Sequence, residues 1–180
     1  MFNIINDAAR AYEKVIPDDR WHEPYMPMEE LESEIADGVE FWGAEENGVL
    51  VAVMGMQDRG AVTLMRHAYV LTARRTCGIG TRLLRHLESL TYKPILIGTW
   101  VAATWAIRFY ENNGYCALPR HETEQLLRRF WRIPERQVAT SIVLANKAWE
   151  QGGERVIMLS ERAETDVSGG ILADKSMHQD

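Results

Sequence analysis

The sequence predicts an α/β domain: one mixed, mostly antiparallel twisted sheet flanked by helices. Three observations predict it. Short β-rich runs meet at Asn47-Gly48 and Asp58-Arg59-Gly60, which are hairpin and turn signals, so three antiparallel strands follow one another. The third run, Ala61 to Leu71, ends in Arg75-Thr76-Cys77-Gly78-Ile79-Gly80 and passes directly into the helical spacing of Ile79, Leu83, Leu84, Leu87 and Leu90. The short apolar run from Ile95 to Thr99 has the character of a central strand.

Taken in order, Ile4, Ile5, Ala8, Ala9, Tyr12 and Val15 recur at helical spacing, which predicts an opening amphipathic helix ending near Pro17. The stretch from Pro17 to Pro27 is a loop by its prolines, yet it carries Trp21, His22, Glu23 and Tyr25. A second helix follows with Met28, Leu31 and Ile35 on one face, Pro27 near its start and Gly38 at its end. The strands are predicted at Val39 to Ala44, Val49 to Met56 and from Ala61. After the glycine turn come a helix to about Leu90, a break at Lys93-Pro94 and the strand to Thr99. Trp105, Ala106, Phe109 and Tyr110 define a short helix stopped by Asn113-Gly114. A strand at Tyr115 to Leu118, a helix at His121 to Trp131 and a β-rich run at Val138 to Ala145 complete the domain, residues 1–150. From residue 151 to 180 glycine pairs and charges predict a flexible tail, interrupted by a strand-like Val156-Ile157-Met158-Leu159.

Composition narrows the functions. The 180 residues suffice for one domain with a real core. A net charge of -6 argues against a general nucleic-acid binder. The two cysteines, Cys77 and Cys116, have no metal spacing and suit a reducing compartment, and no metal is implied. There is no membrane-length apolar run and no signal-peptide pattern, so the expected location is cytoplasmic and no membrane partner is expected.

The chemistry gathers at the glycine turn. A strand that enters a helix through two glycines leaves backbone N–H groups and the positive end of the helix dipole aimed at one point, which is an anion site. Arg74, Arg75, Arg82 and Arg85 surround it in an otherwise acidic chain, and arginine's forked donors suit phosphate. A dinucleotide fingerprint fails because Leu83 stands where the third glycine belongs, and no Gly-Lys-Ser/Thr follows to make a Walker loop.

Arg75-Thr76-Cys77-Gly78-Ile79-Gly80 resembles the Arg/Gln-x-x-Gly-x-Gly/Ala signature of the GNAT superfamily of acyl-CoA-dependent N-acetyltransferases. Trp105-Ala106-Ile107-Arg108-Phe109-Tyr110-Glu111-Asn112-Asn113-Gly114-Tyr115 resembles the second motif of that superfamily, and the order of elements agrees over Phe2 to Asn146. The resemblance implies the GNAT fold and acetyl-CoA as co-substrate. It implies that Arg75, Thr76, Cys77, Gly78, Ile79, Gly80 and Thr81 hold the pyrophosphate of the coenzyme. Tyr69, Val70 and Leu71 would bond the pantetheine arm like an added strand, in a gap opened against Ile95 to Thr99. The N–H of Val70 would face the thioester oxygen. Tyr110 matches the tyrosine that protonates the departing thiolate. Ala103 stands where many relatives carry an asparagine that touches the cofactor arm. Relatives also open with a strand that Met1-Phe2-Asn3 leaves no room for, so the strand at Val39 becomes a bare edge, which Val156 to Leu159 of the same or a partner chain could cover. A homodimer is thus open.

Other roles rest on the residues themselves. His67 is a candidate base, three residues from Val70 and opposite in parity; His22 and Glu23 are others. Trp21, His22, Glu23 and Tyr25 would form a mixed apolar and acidic acceptor wall suited to a cationic amine. Trp100 and Trp105 flank the acyl gap and favour acetyl over longer groups. Cys77 reads as a bystander, since no base adjoins it in sequence. The expected function is direct transfer of an acetyl group to a primary amine on a small molecule or peptide. The alternatives are a longer-chain acyltransferase and a non-catalytic acyl-CoA sensor.

Overall fold

The computed structural model describes residues 1–152. The predicted tail beyond Gly152, with its strand at Val156 to Leu159 and the edge-covering role given to it, lies outside the described residues. Three antiparallel strands form the first half of the sheet: β1 (Glu40–Glu46), β2 (Val49–Asp58) and β3 (Thr63–Val70). β4 (Ile95–Trp100), β5 (Cys116–Ala117) and β6 (Ser141–Ala145) complete it in the order β1-β2-β3-β4-β6-β5. Only β3 and β4 run parallel, and Ile95 to Thr99 is central as its apolar character requires.

Seven α-helices lie on the two faces among the described residues: α1 (Phe2–Ala9), α2 (Met28–Ala36), α3 (Ile79–Glu88), α4 (Thr104–Glu111), α5 (Arg120–Phe130), α6 (Glu135–Thr140) and α7 (Lys147–Glu150). Alternation along the strands divides the core. Ile95 and Ile97 pack with α3 and α4 on one face, whereas Leu64, Leu96 and Val143 pack with α5 and Trp131 on the other. α1, α2 and Val53 extend this second layer. Leu84 is fully buried at the centre of the α3 layer. Leu84→Ala should therefore cost about 3 kcal/mol, read as a lower denaturant midpoint with unchanged slope.

Several expectations are corrected. The opening helix ends at Ala9 and tightens into a 3₁₀ turn at Arg10–Tyr12; Lys14 then takes φ 61°, so the periodicity through Val15 does not continue as helix. In α2 only Leu31 is buried, while Met28 and Ile35 remain exposed. The β-rich run from Val138 begins as helix α6, because Pro134 sets the entry and Glu135 favours a helix start, and the strand begins at Ser141. Among the described residues no strand precedes α1, and β1 is a sheet edge carrying Glu40, Glu45 and Glu46 and a register shift at Ala44/Glu45.

Candidate active site

The parallel ladder between β3 and β4 contains three pairs, Thr63–Ile95, Leu64–Leu96 and Met65–Ile97. Beyond Met65 the strands part. The divergence coincides with a register shift in β3, where His67 sits at φ 52°, a left-handed conformation uncommon for a side-chain-bearing residue. Leu71 donates its N–H to Val51 O at 2.9 Å, on the β2 side. N–H directions alternate along a strand, so that of Val70 points away from β2 and into the gap.

The gap opens into a cavity of about 670 Å³. At one end stand Arg74, Arg75, Thr76, Gly78, Ile79, Gly80 and Thr81. Thr76 and Gly78 take φ 65° and 73°, which turns the chain sharply into α3. No side chain caps that helix. Among the described residues the amides of Thr76, Cys77, Gly78, Ile79, Gly80 and Thr81 find no acceptor; the first amide used is Arg82, which reaches Gly78 O at 3.0 Å. These N–H groups at a helix start make an anion site. A Cβ at Gly80 would meet Phe109 at 3.4 Å and Val70 at 3.5 Å, in ordinary van der Waals contact, so the turn packs directly against α4 and the end of β3.

The arginines divide their work. Arg75 donates to Ala8 O at 2.8 Å, tying the turn to the end of α1, and Thr72 N–H donates to Asp7 at 2.7 Å. Arg74 pairs with Glu46 at 3.1 Å. Arg85 lies outside the cavity; it pairs with Glu88 and donates to Asn113 O, at the C-terminal end of α4.

Tyr110 of α4 lines the cavity and is 6% exposed. Burial, and then the nearby Tyr12, hold its phenol well above the ordinary value, so it stays protonated. Tyr69, expected beside the coenzyme arm, and Tyr12, which sequence did not assign to the site, line the same cavity. Tyr12 is pushed up to about 12 by burial and by Tyr25, and Tyr69 is raised chiefly by burial. Tyr12 stacks on Tyr25 at 5.8 Å and meets Trp105 at 5.4 Å.

His67 also lines the cavity. Its ring stacks on Phe41, and its Nε2 lies buried 3.5 Å from Glu34 Oε2 without a hydrogen bond among the described residues. Glu34 is held by Arg66 at 2.6 and 2.8 Å. Burial alone would raise the Glu34 carboxyl, but His67 and Arg66 outweigh it and the net shift is downward. A depressed carboxyl stabilises the fold above its ordinary pKa, and this contribution disappears as pH falls through its folded value. Glu34→Gln should therefore flatten the acid limb of stability between about pH 5 and 3, measured by urea midpoints.

Other expected site residues lie elsewhere. Tyr25, Trp100 and Trp105 line the cavity; Leu71 and Cys77 do not, and the Cys77 thiol is exposed. Ala103 is fully buried against Ile16 and Trp100, where it turns the chain into α4, and is not part of the lining. The acidic acceptor wall is corrected. Glu23 and His22 are exposed, His22 bonding back to Pro24 O, and Glu23 and Trp21 line a separate hollow with Asn6, Asp7 and Arg10. The loop turns its apolar side inward and its charge outward. Trp131, Gln137 and Thr99 join the cavity without having been singled out; the signal available was Gly98, an internal strand glycine that marks close approach, here of Trp131, which would stand 3.3 Å from a Cβ at that position. Among the described residues no group of His, Cys, Asp and Glu is arranged to hold a metal, and no helix is long and apolar enough to cross a membrane.

Comparison with known proteins names the class. Residues 37–117 match the model of the acetyltransferase (GNAT) domain, which spans the meander, the glycine turn, β4 and α4. The same fold recurs in the PaiA N-acetyltransferase of Thermoplasma acidophilum, solved with coenzyme A, at TM-score 0.60 and 15% identity over 81% of this chain and 89% of that one. A GNAT-family acetyltransferase of Staphylococcus aureus aligns at TM-score 0.60 and 19% identity, over 82% and 90%. One from Elizabethkingia anophelis with acetyl-CoA bound aligns at 0.51 and 19%, over 67% and 82%. No curated protein sequence matches the chain. Residues 37–117 thus carry the match to the acetyltransferase (GNAT) domain, and the architecture around them is the GNAT fold.

Proposed function

We propose that the protein transfers an acetyl group from acetyl-CoA to a primary amine by direct attack. The observation that carries this is the set of unpaired amides from Thr76 to Thr81, opening onto the same cavity as the splayed end of β3 and Tyr110. In this reading the turn holds the diphosphate, which completes the hydrogen bonding of the α3 start. The arm lies along β3, and the Val70 N–H bonds the thioester oxygen and stabilises the charge that grows there during attack. The amine nitrogen bonds to the carbonyl carbon, the C–S bond breaks, and Tyr110 gives its proton to the thiolate. Burial raises the thiolate's proton affinity as it raises the phenol's, which offsets part of the phenol's rise. In this reading His67, beside Glu34, takes the proton from nitrogen. Trp100 and Trp105 restrict the acyl end and favour acetyl.

The test is incubation with acetyl-CoA and a broad amine panel, following free thiol and the acceptor's mass. Amine-dependent thiol release with an acceptor one acetyl group heavier supports the reading. Binding of acetyl-CoA with no acceptor modified would leave a sensor instead of an enzyme.

A further inference from the structure

One wall of the cavity is built of aromatic rings. Tyr69 shares a cluster with α1, α2 and Phe41, and so projects opposite to Val70, which packs in the α3 layer. Trp131 packs against Gly98 on that same second face, and Trp100 clusters with Tyr25 and Tyr12. These rings line the same cavity as the splayed end of β3 and Tyr110. Among the described residues that line the cavity there is no aspartate or glutamate; its charged lining is Arg66, Arg74 and Arg75. None of the loop's acidic residues, Asp18, Asp19 and Glu23, lines it: Asp19 pairs with Arg136, and Glu23 lines the second hollow, on the other side of Tyr25.

We propose that the acceptor is an aromatic amine whose nitrogen is bonded directly to the ring, seated between Tyr25, Tyr69, Trp100 and Trp131. The proposal rests on the transferase reading above and specifies its substrate class. Flat rings bury large area against flat ring walls and gain from offset stacking. A ring-bound nitrogen has its lone pair partly delocalised, so it is uncharged at neutral pH and needs no carboxylate to receive it. An alkylamine arrives as a cation, with only about one molecule in a thousand neutral at pH 7. Ring faces can hold such a cation, but holding it keeps it charged and unable to attack. The phenols around it cannot take its proton, since burial raises Tyr12, Tyr25 and Tyr69 alike. With a neutral acceptor the balance is simple. The nitrogen lone pair forms the C–N bond, the C–S bond breaks, Tyr110 supplies the proton on sulfur, and the proton lost from nitrogen passes through His67 to solvent, from which Tyr110 is restored.

The experiment compares p-anisidine, phenethylamine and spermidine as acceptors for the full chain, by thiol release between about pH 6 and 9, where alkylamines change their neutral fraction about tenfold per unit. The expected result is a kcat/KM for p-anisidine roughly 100-fold above both others at pH 7 and flat with pH. Preference for phenethylamine or spermidine, climbing with pH, overturns the aromatic-amine assignment and leaves the transferase standing. Acetyl-CoA binding without acetylation of any amine overturns both. Trp131→Leu and Tyr25→Leu should each raise the KM for p-anisidine about tenfold with acetyl-CoA affinity unchanged, which also certifies the fold. An unchanged KM in both variants removes the proposed seat.

Discussion

Tyr110→Phe should lower kcat roughly 100-fold while acetyl-CoA binds as before. That factor corresponds to about 2.7 kcal/mol in the barrier, the scale of one lost proton donor. The phenol shows no hydrogen-bond contribution to its raised pKa, only burial and Tyr12, so removing its oxygen leaves no partner in the fold stranded. Chemical denaturation should find the variant as stable as the parent. Calorimetry gives the affinity and thiol release gives the rate. Loss of affinity with kcat retained would make Tyr110 a wall of the donor site and not its acid.

The second large effect is expected at the glycine turn. Thr81 is the third residue of α3, the position from which a glutamate reaches back to the amides of the helix start. Thr81→Glu supplies an internal anion to the amides that the parent leaves unpaired, and its charge repels a diphosphate. Acetyl-CoA affinity should fall about 100-fold, near 3 kcal/mol, as measured by calorimetry. The thermal midpoint should hold or rise, because the new carboxylate meets the positive end of the helix. Parental affinity in a variant with an intact midpoint would move the diphosphate elsewhere.

The sequence made the donor half of this site readable because that half is local. The glycines at 78 and 80, the amides between 76 and 81 and the helix that follows all belong to one short stretch, and turn chemistry depends on nearby residues. The meander was equally plain, since Asn47 and Gly48 both take the positive φ that such a hairpin corner demands. The acceptor half was not readable, because it is assembled from distant parts. Tyr12, Tyr25, Tyr69 and Trp131 come from four separate elements, and only packing brings their rings together. The loop around Glu23 carried the right residue types, but composition does not say which way a loop turns. Val138 misled for a related reason: an apolar β-branched run has strand character, and the proline-glutamate start at Pro134 and Glu135 overrode it.

A sheet's middle is ordinarily its slowest region to exchange amide hydrogens, because ladders protect it from both sides. Here β3 and β4 are neighbours for three pairs and then separate, so exchange as fast as that of an edge strand should appear at its centre, around Val70. A donor lying there would silence that exchange and lift the melting temperature with its concentration. On the proposed function, the donor would take the place of the missing neighbour strand beside Val70 and complete the sheet there.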